Sequence, residues 1–284
     1  MKYLVTGATG HLGSFVVEAL LKKVPASELA VSVRNPEKAQ HLSAQGVEVR
    51  HGDFDQPESL AAAFAGVERL LLISADGDNE TRIRQHETAV QAAKNAGVQF
   101  IAYTSVAKAD ESTLGLAEVH RATEKAIRDS GIAYSLLRNN WYLENEGGSV
   151  QAAAQGAPWV HATGSAKVGW ATRSDYAYAA AAVLAGEGHD NTVYELSGKP
   201  ITQAELAAIA GEVLVKDIPV QNVDSAAYAE IMKGAGLPDF VVSMLVDMQS
   251  AIAQGALNVE SDTLEQLLGR PAQPLSEGIK ALLG

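Results

Sequence analysis

Cysteine is absent from this chain of 284 residues. Its absence excludes disulfide frameworks, thiolate zinc sites, iron–sulfur clusters and thiol nucleophiles. Positive charge is also scarce, because 22 Lys and Arg residues stand against 34 Asp and Glu residues, and the formal net charge is −12. An acidic chain of this kind is poorly suited to bind nucleic acid or an anionic membrane surface. Any redox function must therefore rest on a bound cofactor rather than on thiols.

Long hydrophobic runs are missing as well. The most apolar stretch, residues 176–186, is too short for a membrane-spanning helix, which needs about 20 residues. The N-terminal residues Met-Lys-Tyr-Leu-Val do not form the charged and apolar regions of a secretory signal peptide. We expect a cytoplasmic globular protein without membrane insertion and without a nucleic-acid partner.

Short apolar runs alternate with amphipathic segments over the first half of the chain. The alternation predicts strands at residues 2–6, 29–33, 47–50, 69–74, 99–104 and 133–138. Helices are predicted at residues 11–23, 36–44, 57–64, 81–96 and 116–130. Strands that alternate with helices form βαβ units of a parallel sheet, and continuous apolar runs are typical of strands covered on both faces. We predict an α/β fold of Rossmann type, a doubly wound parallel sheet with helices on both faces.

The pattern loosens after residue 138. Residues 139–170 show little periodicity, and a helix at 173–185 and a strand at 193–196 follow. Further helices are predicted at residues 202–213, 224–234, 238–253, 261–267 and 275–283. We therefore predict a dinucleotide-binding Rossmann domain at residues 1–138, completed by about 171–196. Residues 139–170 and 197–284 are predicted to form a smaller, mainly helical domain on the substrate side.

The most informative local segment is Gly-Ala-Thr-Gly-His-Leu-Gly at residues 7–13, which follows the first strand and opens the first helix. Gly7 permits a tight turn, Gly10 lets the backbone approach a pyrophosphate, and Gly13 lets the helix pack close to the sheet. The helix N-terminus offers N–H groups and the positive end of the helix dipole to phosphates. A turn used only for packing is the alternative, but its position inside a βαβ unit favours a dinucleotide site.

The end of the second predicted strand distinguishes the two nicotinamide cofactors. Sites for NAD carry Asp or Glu there, which holds the ribose 2′-hydroxyl. This chain has Arg34, and Lys38 follows four residues later. A guanidinium pairs with a 2′-phosphate through two hydrogen bonds, so we predict NADPH. The alternative is that Arg34 is a solvated charge of the loop.

Polar residues also follow the third, fourth and fifth predicted strands. Ligands of open α/β sheets lie outside the carboxyl ends of the strands, so these residues are expected to border the cofactor. After the third strand, Asp53 is expected to accept from the adenine amine with Phe54 beside the ring, unless Asp53 caps the helix that starts at Pro57. The residues expected near the ribose and the nicotinamide are Ser74, Ala75, Asp76 and Ser105.

The catalytic pair of common short-chain dehydrogenases is missing. Those enzymes use a Tyr and a Lys four residues further along, because the ammonium lowers the pKa of the phenol. None of the eight tyrosines has a Lys at that spacing. His120 and Glu124 lie one helical turn apart and could act as acid and base, but we expect them to be exposed on a helix face, as we expect for His86 and Glu87. The strand-end serines lack a histidine partner, and no metal-ligand spacing occurs.

Six segments spread over the chain carry a family likeness. They are residues 7–13 quoted above, Val-Arg-Asn-Pro-Glu-Lys at 33–38, Tyr-Thr-Ser at 103–105, Leu-Arg-Asn-Asn-Trp-Tyr-Leu-Glu-Asn at 137–145, Ala-Thr-Arg-Ser-Asp-Tyr at 171–176 and Gly-Leu-Pro-Asp at 236–239. Together they resemble the NmrA-like atypical short-chain dehydrogenases/reductases, and above all the bacterial quinone-reducing members, with the triphenylmethane reductases as near relatives. The Arg-Asn-x-Trp-Tyr block is much more specific than the glycine turn, and the likeness covers nearly the whole chain.

The resemblance implies a nucleotide-binding domain, a smaller second domain and a cleft between them, in a family that normally lacks the Tyr–Lys pair. It implies that NADPH is held by residues 7–12, 34, 74–76, 139–143 and 173. His11 and the Ser-Ala-Asp sequence at 74–76 depart from the family pattern. The full set of expected cofactor-binding residues is Gly7, Ala8, Thr9, Gly10, His11, Leu12, Arg34, Lys38, Asp53, Phe54, Ser74, Ala75, Asp76, Ser105, Asn139, Asn140, Trp141, Tyr142, Leu143 and Arg173.

The function that these features favour is hydride transfer from NADPH to quinones or related planar conjugated acceptors. A quinone is electrophilic and yields stabilised oxyanions, so it needs less acid catalysis than a simple ketone. The candidates for a substrate wall are Asn139, Asn140, Trp141 and Tyr142, two amides that can donate hydrogen bonds and two rings that can stack. Core packing is the alternative role for Trp141.

Two other functions are compatible with the sequence. The main alternative is a non-catalytic NmrA-like redox sensor, which binds NADP(H) and regulates a protein partner. A third possibility is a reductase of imine or ether-linked aromatic substrates, in which relatives place a Lys in the helix after the fifth strand; the nearest here is Lys125. Catalytic residues stay unassigned and no metal is expected. The predicted partner is a small quinone-like molecule. A homodimer is also compatible with the sequence.

Overall fold

A seven-stranded sheet lies at the centre of the computed structural model, which describes residues 2–284. Its strands are β1 (Tyr3–Thr6), β2 (Leu29–Val33), β3 (Glu48–His51), β4 (Arg69–Leu72), β5 (Phe100–Val106), β6 (Ala133–Asn139) and β9 (Thr192–Leu196). They run in the order β3-β2-β1-β4-β5-β6-β9, and every neighbouring pair is parallel. The predicted doubly wound α/β fold is confirmed. Each strand ends within two residues of its predicted bounds.

Helices cover both faces of this sheet and build most of the C-terminal part. Within residues 2–284 they are α1 (His11–Leu21), α2 (Gln40–Ser43), α3 (Pro57–Phe64), α4 (Asn79–Asn95), α5 (Ala117–Ser130), α6 (Gly147–Ala154), α7 (Arg173–Ala185), α8 (Gln203–Leu214), α9 (Ser225–Gly234), α10 (Asp239–Ala253), α11 (Thr263–Leu268) and α12 (Leu275–Leu282). Short 3-10 helices lie at Ala26–Glu28, Pro36–Ala39 and Leu143–Glu146. Among these residues, no helix is both long and apolar enough to cross a membrane.

Alternate side chains of the strands fill two separate cores. On one face, apolar strand residues such as Val5 and Leu137 pack against α1 and α7. On the other face, residues such as Leu4 and Ile101 pack against α3, α4 and α5. This follows from the period of two in a strand, which sends successive side chains to opposite faces. Because both faces are covered, the strands are apolar throughout, as their sequences indicated.

The strand order reverses between β1 and β4, and this places the site. From β1 the chain winds outward through β2 and β3, and from β4 it winds the other way through β5, β6 and β9. Such a reversal opens a crevice outside the carboxyl ends of the strands, where α/β proteins bind their ligands. The glycine turn after β1 and the segments that follow β4, β5 and β6 all lie at this edge.

A third core lies outside the sheet and has Trp159, Trp170 and Leu206 among its buried members. Two small sheets belong to this part, formed by β10 (Ile201–Thr202) with β8 (Lys167–Val168) and by β11 (Val220–Asn222) with β7 (Trp159–His161). Residues 139–170, which show little periodicity in the sequence, contain a 3-10 helix, α6, β7 and β8. The glycine pair that opens α6 weakens its helical signal, because glycine is a poor helix former. The division into two domains stays a prediction.

Candidate functional site

The turn between β1 and α1 is built so closely that glycine is required. Gly7 has a φ of +62°, in the left-handed region that favours glycine. A Cβ on Gly13 would lie 2.2 Å from the Gly7 carbonyl oxygen and 2.8 Å from the Ala8 Cα. Helix α1 therefore starts directly against the turn, as the predicted dinucleotide motif demands.

The N-terminus of α1 is left open to a ligand. Gly10 is the N-cap, no side chain caps the helix, and no acidic residue occurs in its first turn. Thr9, Gly10 and His11 are exposed, whereas the side chains of Ala8 and Leu12 are buried and anchor the turn. Backbone N–H groups and the positive helix end thus face outward without a competing carboxylate, which fits a pyrophosphate.

The end of β2 carries two unpaired cations. The side chains of Arg34 and Lys38 are exposed and form no hydrogen bond or ion pair within residues 2–284. Asn35 orders the turn between them, because its side-chain oxygen accepts the Glu37 N–H at 2.9 Å. The Arg34 charge makes a small contribution to the lowered pKa of Asp55, which hydrogen bonds from Arg84 and Gln85 dominate. The Arg34 guanidinium is therefore available to a phosphate.

After β3, Asp53 shapes the approach to α3. Its carboxylate accepts the Asp55 N–H at 3.0 Å and the side-chain amide of Gln56 at 3.1 Å. Phe54 is half-buried and meets the His86 ring edge to face at a centroid distance of 6.4 Å. Asp53 therefore orders the turn before α3 but does not cap the helix, because the N-cap is Gln56 and no side chain caps it. Its contact with adenine stays a prediction.

The segment after β4 is turned partly away from the site. The Ser74 hydroxyl accepts from Arg82 Nη2 at 2.8 Å, so this side chain faces α4. The Ala75 N–H donates to His86 Nε2 at 2.9 Å. Asp76 is exposed, and its charge acts on Tyr142, which places the two side chains near each other. The Ser74 hydroxyl is therefore engaged within the protein, and so is its N–H, which donates to Thr104 Oγ1 at 2.9 Å.

Two of the four substrate-wall candidates come together after β6. The Asn139 side-chain N–H donates to the Tyr142 phenol oxygen at 3.2 Å, while Asn139 Oδ1 is buried and has no partner within residues 2–284. The Arg173 guanidinium lies 5.3 Å from the centroid of the Tyr142 ring, and Tyr176 meets that ring edge to face at 5.3 Å. Burial raises the pKa of Tyr142, and Asn139 and Arg173 counteract this only in part. The phenol is therefore a neutral O–H group beside an amide oxygen that lacks a donor.

The other two candidates are packed into the protein. The Asn140 amide donates to Ser197 Oγ and to the Leu257 carbonyl, both at 3.0 Å, and its oxygen accepts the Trp141 N–H at 2.8 Å. Trp141 is 9% exposed and belongs to the third core, as does Leu143. Their side chains have the packing role that was the alternative for Trp141, so only Asn139 and Tyr142 remain as polar wall candidates.

The expectation that His120, Glu124 and His86 are exposed is wrong. Glu124 and His86 are 0% exposed and His120 is buried as well, whereas Glu87 is exposed as expected. The reason is that α4 and α5 pack directly on the sheet, so one face of each helix points at the ends of β4, β5 and β6. Burial lowers the pKa of both histidines to about 3, with a further contribution from the Arg82 charge.

His120 and Glu124 do not form the acid–base pair that their spacing allowed. His120 Nδ1 lies 2.8 Å from the Tyr103 hydroxyl, whereas Glu124 accepts from Ser105 at 2.6 Å and from two nitrogens of Arg138 at 2.9 and 2.7 Å. The hydroxyl of Ser105, expected beside the cofactor, thus points at α5. Lys125 is exposed and pairs with Asp129.

Sequence reasoning missed three residues that support the site. Arg82 and His86 hold the segment after β4, and Glu144 accepts the Arg173 N–H at 2.9 and 3.1 Å, which holds the first turn of α7. The spacing of four between Arg82 and His86 places both on one helix face. That signal was present, but nothing local indicated that the face is buried.

Comparisons with known proteins agree with this geometry. The NmrA-like family profile matches residues 1–279. Quinone oxidoreductase 2 of Escherichia coli strain K12 is 46% identical over 279 residues, which are 98% of this chain and 97% of that protein. The structure of the NADPH-dependent quinone oxidoreductase of Escherichia coli in complex with NADPH superposes with a TM-score of 0.95 at 46% identity, over 99% of this chain and 100% of that one. Triphenylmethane reductase of Citrobacter sp. in complex with NADP(H) gives a TM-score of 0.94 at 45% identity, over 99% and 100%. By sequence and by fold, the chain belongs to the NmrA-like family.

Proposed function

We propose that this protein transfers hydride from NADPH to quinones and related planar conjugated acceptors. The coarser part of this function, an oxidoreductase that uses NADPH, is confirmed, because relatives at 45–46% identity over nearly the full chain are an NADPH-dependent quinone oxidoreductase and a reductase, each solved with NADPH or NADP(H). The acceptor rests on the quinone oxidoreductase and on the side chains after β6.

The observation that carries the proposal is the pairing of Asn139 with Tyr142. The phenol oxygen accepts the Asn139 amide, so the phenol hydrogen is left to donate to a ligand oxygen. Asn139 Oδ1 lacks a donor and can accept from a carboxamide N–H or from a product hydroxyl. A buried unpaired oxygen costs free energy, and a ligand that supplies the donor removes that cost.

We place the cofactor along the edge of the sheet. The open N-terminus of α1 would hold the pyrophosphate, and Arg34, with Lys38 near it, would hold a 2′-phosphate. Residues 74–76 and Asn139 would border the nicotinamide end, at the carboxyl ends of β4 and β6. NADPH supplies the hydride when it is bound there. The remaining predicted contacts, including those of Asp53 with adenine, belong to the same proposal.

The residues of the site have a limited chemical task. A quinone accepts hydride readily, and its oxyanion is stabilised by conjugation, so the protein must position the ring and donate a hydrogen bond to its oxygen. Tyr142 supplies the O–H, and Asn139 orients it through a hydrogen bond to the phenol oxygen. The Arg173 guanidinium lies over the Tyr142 ring. No Tyr–Lys relay is required.

The test is NADPH oxidation by the purified protein with a panel of quinones, triphenylmethane dyes and azo dyes. We expect turnover with quinones and a reduced kcat for Tyr142→Phe, with Tyr178→Phe on the outside of α7 as the matched control. Arg34→Ala is expected to weaken NADPH binding by about 10- to 100-fold, the effect of losing hydrogen bonds to a charged group, and to leave NADH binding unchanged. Tight NADPH binding without turnover of any acceptor would instead support a redox sensor.

A further inference from the structure

The segment that follows β4 is held by side chains from three other elements. The Ile73 N–H donates to Thr6 Oγ1 of β1 at 3.0 Å, and the Ser74 N–H donates to Thr104 Oγ1 of β5 at 2.9 Å. The Ala75 N–H donates to His86 Nε2 of α4 at 2.9 Å. Three consecutive amides thus depend on side-chain acceptors, and His86 holds the one nearest the site.

The contacts of His86 determine its tautomer. A backbone N–H can donate only to a ring nitrogen that carries a lone pair, so Nε2 is unprotonated and Nδ1 carries the hydrogen. Nδ1 lies 2.8 Å from Thr123 Oγ1, and that hydroxyl donates to the Val119 carbonyl at 2.8 Å. The hydrogen bonds run in one direction, from Ala75 through His86 and Thr123 to the backbone of α5. A second proton on His86 would set an N–H against the Ala75 N–H.

The surroundings keep His86 neutral and fix its ring. The side chain is fully buried, with Phe54 at a centroid distance of 6.4 Å and Tyr103 at 5.8 Å. Arg82 lies close enough for its positive charge to act on the ring. Arg82 itself donates to the Ser74 hydroxyl, so side chains of α4 form hydrogen bonds with both Ser74 and Ala75.

We propose that His86 is a positioning residue for the nicotinamide half of the cofactor, because its neutral Nε2 holds the Ala75 N–H and so fixes the backbone of residues 74–76 beside the nicotinamide ribose. The inference rests on the proposed function, which puts that ribose at the carboxyl end of β4. His86 lies beneath the segment and acts through it. The 2′-phosphate and pyrophosphate ends lie near β2 and α1, which His86 does not touch.

The experiment compares NADPH with 2′-phospho-ADP, which keeps the 2′-phosphate and the diphosphate and lacks both the nicotinamide and its ribose. Binding of each is measured by titration calorimetry to the full chain carrying His86→Leu, His86→Gln or His120→Leu. Gln keeps an acceptor and a donor, and His120 is a matched buried histidine that faces Tyr103 instead of the segment. We expect His86→Leu to weaken NADPH by about tenfold, as for one lost hydrogen bond. We expect it to leave 2′-phospho-ADP unchanged, because a leucine keeps an apolar contact with Phe54 on the adenine side. His86→Gln should restore most of the affinity, and His120→Leu should change neither ligand.

Equal weakening of both ligands by His86→Leu, or no weakening of NADPH, overturns the inference. If His86→Leu does not fold, the histidine ring nitrogens of the unaltered protein give an independent answer in a long-range ¹⁵N–¹H spectrum. We expect the His86 ring, identified as the signal that His86→Gln removes, to carry its hydrogen on Nδ1, and the opposite tautomer overturns the inference. A protein that binds NADPH as expected but reduces no quinone would remove the proposed acceptor and leave the role of His86 intact.

Discussion

Two polar clusters lie side by side on the α4–α5 side of the sheet, and they are built from opposite chemistry. The neutral cluster is buried and consists of His86, Tyr103, His120 and Thr123. The ionic cluster has two buried members, Glu124 and Arg138, and reaches the surface through Arg128, Asp110 and Glu195. Residues 120 and 124 are one turn apart on α5, yet the first joins the neutral cluster and the second the ionic one. One helix therefore supports two strand ends by two different means.

The clusters hold different parts of the site edge. The neutral cluster ends on the Ala75 N–H, after β4. The ionic cluster ends on the segment after β5, where Arg138 pairs with Asp110 at 2.7 Å and Glu195 accepts the Lys108 N–H at 3.0 and 3.3 Å. Lys108 has a φ of +52°, an unfavourable conformation for a residue with a side chain. The ionic cluster stabilises this strained backbone, whereas the neutral one orients a single amide.

This difference in chemistry predicts how much stability a substitution in each cluster should cost. Neutral groups lose one hydrogen bond at a time, at about 1–3 kcal/mol when a buried partner is left unsatisfied. Buried ions fail together, because a charge that loses its partner keeps its full desolvation cost. Substitutions in the ionic cluster should therefore have larger effects than substitutions in the neutral one.

The largest expected effect is that of Arg138→Met. Glu124 is fully buried and would lose two hydrogen bonds from Arg138, so we expect the free energy of unfolding to fall by about 3–5 kcal/mol. Urea unfolding measures this. Arg128→Met is the matched control, because Arg128 also binds Glu124 but its side chain is 37% exposed, and it should cost less than about 1 kcal/mol. Similar losses for both variants would contradict the distinction between the clusters.

Most of the fold could be predicted from local sequence pattern. Apolar runs and helical periodicity are properties of neighbouring residues, and α7 begins and ends at the predicted residues, Arg173–Ala185. The glycine turn could be predicted for the same reason, since its shape depends on three glycines within seven residues. The 3-10 helix at Leu143–Glu146 and the following α6 could not, because their stability comes from packing on the third core rather than from helix propensity.

The two clusters show where local reasoning ends. A spacing of four tells which residues share a helix face, and it tells nothing about what covers that face. His120 and Glu124 satisfy the pattern of an exposed pair, and only the packing of α5 on β5 and β6 separates them. The same limit applies to Ser105, whose strand-end position was recognised but whose side-chain direction was not.

The next largest expected effect is a loss of folding stability at low pH, and it comes from the two histidines of the neutral cluster. The pKa of His86 and of His120 is about 3 in the folded protein because of burial, against an ordinary value of 6.5. The unfolded chain therefore takes up protons first, so the stability is complete above about pH 6.5 and is lost as the pH falls toward 3. At pH 5 the loss is about 2 kcal/mol per histidine.

Urea unfolding gives the free energy of unfolding at pH 7 and at pH 5, and the difference between the two values measures that loss. A change in stability that a substitution causes equally at both pH values cancels in this difference. His120→Gln should reduce the difference by about 2 kcal/mol, and His41→Gln, an exposed position on α2, is the matched control. An unchanged pH difference in His120→Gln would show that the cluster does not carry a neutral histidine at this position.

The smallest expected effect compares one hydroxyl from each cluster on the same strand. Tyr103→Phe leaves His120 Nδ1 without its partner, and Ser105→Ala removes a hydroxyl that donates to the Glu124 carboxylate at 2.6 Å. A hydrogen bond between neutral groups contributes about 1 kcal/mol and one to a charged group about 2 kcal/mol, so the serine variant should lose more stability in urea although each variant removes one hydroxyl oxygen. The reverse order would mean that the charge of the partner does not govern the response of this part of β5.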